Sequence, residues 1–272
     1  MEKFLLFFEH MPTWHRAVWI ILCMTTFWLL EGNYPLFKFT YKKWRHAFTN
    51  LFFLTTTLII NVLFALATVG VFAWTKEYHI GFLYLTEMPI WLGLLLSILV
   101  FELLGQYLSH YLLHKYKWMW KLHMVHHSDT KVDVTTGTRH HPGDFLIREL
   151  FALLAIIITG APVGYYFLYR FCTVFFTYFT HSNIYLPVWI DKPLSWIFVT
   201  PNMHKFHHHF ERPWTDSNFG NIFSLWDRLF GTFVYDDPKK IKYGLDTLEG
   251  RNDEDILEQL KLPFDKSVKT DY

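Results

Sequence analysis

Residues 49–75 carry no charged side chain, and 51–74 alone give 24 uncharged, mostly apolar positions, where about 20 suffice for a helix to cross a bilayer core. This run is read as a membrane-spanning helix, and the rest of the chain must fold around it. Residues 17–30 supply 14 more uncharged positions, with Trp14 and Trp19 placed to sit at headgroup level, so a first helix is expected near 12–30. Residues 88–101 are apolar and continue through Glu102, Gln106, His110 and His114 with apolar residues interleaved at helical spacing; one long helix emerging from the bilayer fits. The region 145–180 would make about 54 Å of helix, and Gly160-Ala161-Pro162 interrupts it. A helical hairpin is expected there, with protein or interface surroundings for Arg148, Glu149 and Arg170. The fold class is therefore an all-α polytopic membrane protein, with about four transmembrane helices in two hairpins and a cytoplasmic helical cap.

Of the 272 residues, 52% are hydrophobic and 18% charged, with a formal net charge of +1. That excludes a disordered chain and argues against a nucleic-acid partner. Cys23 and Cys172 both lie in apolar runs and are read as packing residues rather than a disulfide or metal pair. A signal peptide is disfavoured, because Glu9, His10 and Pro12 interrupt the run after Lys3 and no small-residue cleavage site follows Leu30. Lys38, Lys42, Lys43 and Arg45 follow the first helix, and Lys115, Lys117, Lys121, Lys131 and Arg139 follow the third, whereas 76–87 contains one lysine. The positive-inside rule places the first and third of these connections in the cytoplasm. The expected domains are a hairpin region over 1–87, a catalytic region over 88–235 and a polar cytoplasmic tail over 236–272, of which the charged stretch 239–265 is read as a solvated surface or flexible tail.

Twelve of the sixteen histidines lie between residues 110 and 209. His110 and His114 are four apart, His123, His126 and His127 form H-x-x-H-H, and His204, His207 and His208 repeat it 81 positions later. Such spacings bring rings together on a helix face. Neutral imidazole is a ligand for Zn, Fe, Cu and Ni, and one ion accepts only a few, so eight or more convergent histidines imply two ions. His10, His15, His46 and His79 have no partners at ligand spacing and are read as satisfied surface or core residues. There is no H-E-x-x-H zinc-hydrolase motif and no carboxylate-bridged E-x-x-H pattern. This leaves a histidine-bound metal pair beside apolar helices, with redox-active iron preferred and zinc still open.

These motifs, with Arg139-His-His141-Pro142, Thr200-Pro-Asn-Met-His204-Lys-Phe-His207-His208 and Asn218-Phe-Gly to Trp226-Asp227-Arg228, resemble the fatty acid hydroxylase and sterol desaturase superfamily of integral membrane di-iron enzymes over roughly residues 95–235. The resemblance implies an oxidoreductase that activates O2 at two iron ions and hydroxylates a C–H bond of a membrane lipid such as a fatty acyl or sterol chain. A desaturase with the same centre is the near alternative, and a metal-storing or metal-transporting membrane protein is the alternative from another class. It also implies that His110, His114, His123, His126, His127, His204, His207 and His208 are the catalytic metal ligands, with His181 a ninth and His141 a weaker tenth. His140 and His209 are left out. Ligating imidazoles need their other nitrogen oriented by an acceptor, for which Glu102, Asp129 and Asp227 are the candidates. His141-Pro-Gly-Asp echoes a cytochrome b5 heme motif without a second histidine to complete it, so electrons are expected from a separate ferredoxin, flavoprotein or cytochrome b5. Trp118, Trp120, Trp189, Trp196 and Trp214 are read as interface anchors, and residues 186–200, broken by two prolines, as a segment lying along the interface.

Overall fold

The computed structural model describes residues 1–270. Its elements are α1 (Glu2–Glu9), α2 (Thr13–Asn33), α3 (Lys43–Glu77), α4 (Ile90–Glu102), α5 (Ser109–Lys115), α6 (Lys117–His127), α7 (Pro142–Thr159), α8 (Val163–His181), α9 (Val188–Leu194), α10 (Pro201–His207), α11 (Leu225–Leu229) and α12 (Ile256–Lys261), with short 3-10 turns between them. Among the described residues there is no β-strand, only three isolated bridges. Among the described residues two helical stretches are long and apolar enough to cross a membrane, Lys43–Tyr84 and Ile90–Lys115. On the first, Val62, Leu63 and Leu66 are 72, 70 and 85% exposed, an outward apolar surface that suits lipid rather than water.

The expected break at 160–162 is present. Gly160 takes a left-handed φ of 63° as the C-cap of α7, and Pro162 precedes α8. No other residue fits at 160, since a Cβ there would lie 2.2 Å from the Ile80 carbonyl. The two helices splay: α7 packs on α3, α8 on α1 and α2, and α4 touches both. Their charges find protein partners, Arg170 with Glu149 at 2.9 Å and Arg148 with Asp144 at 2.9 Å. Around α4, Phe101, Ala155, Ile156, Tyr165, Tyr166 and Tyr169 form the largest apolar core.

Two features depart from the sequence reading. First, α4 passes into α5 through a π turn, Leu103–Leu108, which inserts residues relative to an α-helical register. Glu102 therefore meets the backbone of residues 221–223 rather than a histidine. Second, the segment read as a solvated or flexible tail is docked. Leu245, Leu248, Leu262 and Val268 share a buried core with Phe53, Trp120, Met124 and Val125, and Thr49 and Ser128 bond Glu254 O and the Gln259 side chain. Most of its charges face outward, with Asp253 buried against Thr130, while every few positions an apolar side chain turns in, a pattern too short and irregular to stand out in the sequence.

Candidate metal centre

The histidines come from four places. α5 supplies His110 and His114, α6 supplies His123, His126 and His127, the end of α8 supplies His181, and α10 with its C-cap supplies His204, His207 and His208. α10 is started by Pro201 and by the Thr200 hydroxyl, which accepts from Met203 N at 3.3 Å, a normal helix N-terminus. All nine are at most 6% exposed. Their nitrogens fall into two groups, each with ligand atoms within 4.8 Å of one another: His110, His114, His123, His127 and His207 in the first, and His126, His181, His204 and His208 in the second. The two H-x-x-H-H repeats divide in opposite senses. His123 and His127 go to the first group and His126 to the second, whereas His207 goes to the first and His204 and His208 to the second. The sequence reading put each repeat on one shared face; the fold lets each repeat straddle the wall between two groups, with His127 and His208 rings 4.8 Å apart.

The protonation pattern tests whether this set suits metal ions. His110 Nδ1 donates to Phe219 O at 2.9 Å and His123 Nδ1 to Asp144 Oδ2 at 2.9 Å. Each neutral ring then presents a lone pair at Nε2, yet those two Nε2 atoms are only 2.9 Å apart. In the second group, His181 Nδ1 donates to Thr177 O at 2.7 Å and His126 Nδ1 to Arg139 O at 3.2 Å, while His181 Nε2 lies 3.2 Å from His126 Nε2 and 3.1 Å from His204 Nε2. Burial holds the His126, His127, His204, His207 and His208 imidazoles well below their ordinary pKa, with neighbouring imidazoles adding to it. Burial also lowers His123 to about 3, against the opposing pull of Asp144. These rings are therefore neutral, with one bare nitrogen each, and His114 Nε2, His207 Nε2 and both His208 nitrogens are buried with no hydrogen-bond partner. Lone pairs converging on a common point without donors call for a cation, so the residues fit a metal in each group.

His141 is not brought to either group. As N-cap of α7 it accepts from Gly143 N at 3.1 Å, and its Nε2 donates to Leu260 O at 3.3 Å, so both nitrogens are used. His140 stacks on His126 with ring centroids 4.6 Å apart and bonds Asp144, and His209 accepts from Lys242 N. His46 is a satisfied core residue held by Asp129 and Asp133. None of Glu102, Asp129 and Asp227 bonds a grouped histidine. That work falls to Asp144 on His123 and to Asp216, 3.1 Å from His114 Nδ1. Asp144 could have been found from its place in the first turn of a helix four residues before Arg148; Asp216 carries no such signal. Trp120 is not an interface anchor but is 3% exposed, with its ring 4.8 Å from His114 and 5.3 Å from His127. Trp118, Trp189 and Trp196 are exposed.

With this geometry in hand, comparison with known proteins gives a consistent result. The profile of the family described as fatty acid hydroxylase matches residues 94–232, about half of the chain. Ornithine lipid hydroxylase OlsE of Rhizobium tropici is 28% identical over 207 residues, 76% of this chain and 60% of that protein. Alkylglycerol monooxygenase of Xenopus tropicalis is 31% identical over 150 residues, 52% of this chain and 30% of that protein. Methylsterol monooxygenase 1 of Gallus gallus is 25% identical over 235 residues, 80% of this chain and 73% of that protein. All three are named as hydroxylases or monooxygenases, and the chain spans 60% of the first and 30% of the second. No solved structure matches the chain.

Proposed function

The chain belongs to the fatty acid hydroxylase family, and from that premise we propose that it is a membrane lipid hydroxylase that uses O2 and two iron ions. The observation that carries the proposal is the pair of buried histidine groups whose Nε2 atoms face one another at 2.9–3.2 Å. His110, His114, His123, His127 and His207 would hold one ion, and His126, His181, His204 and His208 the other. Bound there, the ions would supply O2 activation and abstraction of hydrogen from an unactivated C–H bond. The balanced reaction is R–H + O2 + 2 electrons + 2 protons giving R–OH + H2O, with the electrons from a separate ferredoxin, flavoprotein or cytochrome b5.

The chain's own part is to place, dry and orient the site. His110 and His114 sit at the end of α4–α5, continuous with an apolar span, which supports a site at the membrane surface within reach of an acyl or sterol chain. Asp144, Asp216 and the carbonyls of Ser217, Phe219, Arg139 and Thr177 fix the ring tautomers, as metal-binding histidines require. In this reading α2 and α3 make one membrane hairpin, α4–α5 a further pass, and the α7–α8 pair a second hairpin that leaves and returns on the histidine side. Lys38, Lys42, Lys43, Arg45, Lys115, Lys117 and Lys121 lie in the connections next to the histidine-bearing helix ends, and by the positive-inside rule they support a cytoplasmic side for the site.

The test is lipid mass spectrometry of a host supplied with iron and oxygen and expressing either the wild type or His207→Ala. A lipid that gains one oxygen with the wild type only is the expected result. Loss of two hydrogens instead would make the enzyme a desaturase, and equal product from His207→Ala would refute the ligand assignment. Iron and zinc content of the purified protein decides the metal.

A further inference from the structure

The first histidine group is supported from one short segment. Asp216 Oδ1 faces His114 Nδ1 at 3.1 Å, Ser217 O accepts from His207 Nδ1 at 2.7 Å, and Phe219 O accepts from His110 Nδ1 at 2.9 Å. Three of the five rings in that group thus take their orientation from residues 216–219. In the second group His126 and His181 are bonded to Arg139 O and Thr177 O instead, and only His204 meets the segment, at the Asn218 backbone.

What holds the segment in place is a pair of buried carboxylates. Asn218 turns the chain with a φ of 55° and ties it to Met203 O and Val234 O, each at 2.8 Å. Beyond it, five successive backbone N–H groups are taken up by two side chains that are fully buried. Asp227 accepts from Phe219 N at 2.7 Å and Gly220 N at 3.0 Å, and from the Thr232 hydroxyl at 2.8 Å. Glu102, beside the π turn, accepts from Asn221 N at 2.8 Å, Ile222 N at 2.6 Å and Phe223 N at 3.4 Å through Oε1, and from the Tyr169 hydroxyl at 2.9 Å through Oε2. The fit is close: a Cβ on Gly220 would lie 2.6 Å from Phe223 O and 3.0 Å from Asp227 Oδ2. Buried carboxylates are costly unless every lone pair is used, and here their donors are the N–H groups of the one loop that carries the acceptors for the histidines.

We infer that Glu102 and Asp227 are positioning residues that hold the 216–219 segment as the shared outer support of the first histidine group, three rings of which it orients against one of the second, and so govern retention of the metal in the first group before the other. The inference rests on the proposed two-metal reading. It separates two conservative variants by geometry. In Glu102→Gln the Oε1 position still accepts the backbone N–H groups, and the amide nitrogen donates to the Tyr169 phenol oxygen. In Asp227→Asn both carboxylate oxygens face N–H donors, so whichever way the amide turns, one donor meets another donor.

The experiment is metal content per chain of the full-length protein in detergent, loaded with iron and exposed to graded chelator, with helicity by circular dichroism as the control for folding. Wild type and Glu102→Gln should keep two ions to the same chelator concentration. Asp227→Asn should lose one ion at a roughly 10- to 100-fold lower chelator concentration, the usual effect of an outer-support residue, and keep the other. Should Asp227→Asn fail to insert, Thr232→Val removes one donor to the same carboxylate and should show the same one-ion loss to a smaller extent. The inference is overturned if Asp227→Asn holds both ions as the wild type does, if it releases both together, or if Glu102→Gln loses metal as Asp227→Asn does. A wild type that binds no metal would overturn the proposed function, and this role with it.

Discussion

Arg139→Lys tests how the histidine-bearing elements are fastened to α3 and to the C-terminal segment. Arg139 is the bulkiest fully buried side chain. Its Nε donates to Val125 O at 2.8 Å, Nη1 to Asn50 Oδ1 at 3.0 Å, and Nη2 to Ser128 Oγ at 2.9 Å and to Asp253 O. One planar fork thus joins α3, α6 and the C-terminal segment, and the Arg139 carbonyl itself accepts from His126 Nδ1. A lysine keeps the charge but presents one ammonium at one point and cannot span acceptors on three elements. Two or more acceptors are left dry at about 1–3 kcal/mol each, for a loss of about 3–5 kcal/mol, the range seen when a buried charge loses its partners. At about 2–4 °C per kcal/mol for a chain of this size, the unfolding midpoint should fall by roughly 10 °C. The assay is thermal unfolding in detergent followed by tryptophan fluorescence, with limited proteolysis of the C-terminal segment as a second readout. Arg251→Lys, at a side chain 30% exposed, is the control and should move the midpoint little. An Arg139→Lys midpoint within about 2 °C of the wild type, with the C-terminal segment equally protected, would refute the fork as the fastening.

Two further outcomes are expected. In Asp144→Asn, one acceptor is lost between His123 at 2.9 Å and Arg148 at 2.9 Å, so metal in the first group should bind roughly 10- to 100-fold more weakly; unchanged resistance to chelator would contradict the role given to Asp144. The pH dependence has a definite sign. His123, His126, His127, His204, His207 and His208 are held below their ordinary value by burial in the folded protein and return to about 6.5 when unfolded. Below pH 6.5 the unfolded chain therefore binds more protons, and stability is lost as pH falls, by up to about 1.4 kcal/mol per pH unit for each ring. Unfolding midpoints of the metal-free protein at pH 7.5, 6.5 and 5.5 should drop steeply over the last step, and a flat profile would show that these rings do not enter the folded core neutral.

The helices were legible where periodicity and apolar length speak for themselves. The uncharged run from 49 to 75 became the middle of α3, the break at Gly160 and Pro162 became the turn between α7 and α8, and the first helix expected near 12–30 is Thr13–Asn33. The docking of residues 236–270 was not legible. Its contacts to α6 and α3 are few apolar side chains set among charges, and hydrogen bonds such as Thr130 to Asp253 at 2.6 Å link residues 123 positions apart, a separation on which local pattern is silent.

At the site, the spacing of histidines was enough to find eight rings, the family resemblance added His181 along with His141, which joins neither group, and nothing in the sequence sorted them. Helical spacing reports which side chains share a face of their own helix, and each H-x-x-H-H does share one. Sorting depends on where two such faces meet, and α6 and α10 meet so that the fourth position of one repeat stands beside the first and last of the other. The orienting acceptors were harder still, because most are backbone carbonyls, which every residue possesses and no sequence advertises. Glu102 and Asp227 were singled out as carboxylates available to orient a ring, yet each lies one layer further out, holding the loop whose carbonyls do so. The π turn after Glu102 explains the first displacement: it ends the α-helical register that would have aligned Glu102 with His110, and turns the carboxylate toward the loop instead. A residue chosen for its chemistry was thus in the right assembly but acts through the main chain, which only the folded backbone reveals.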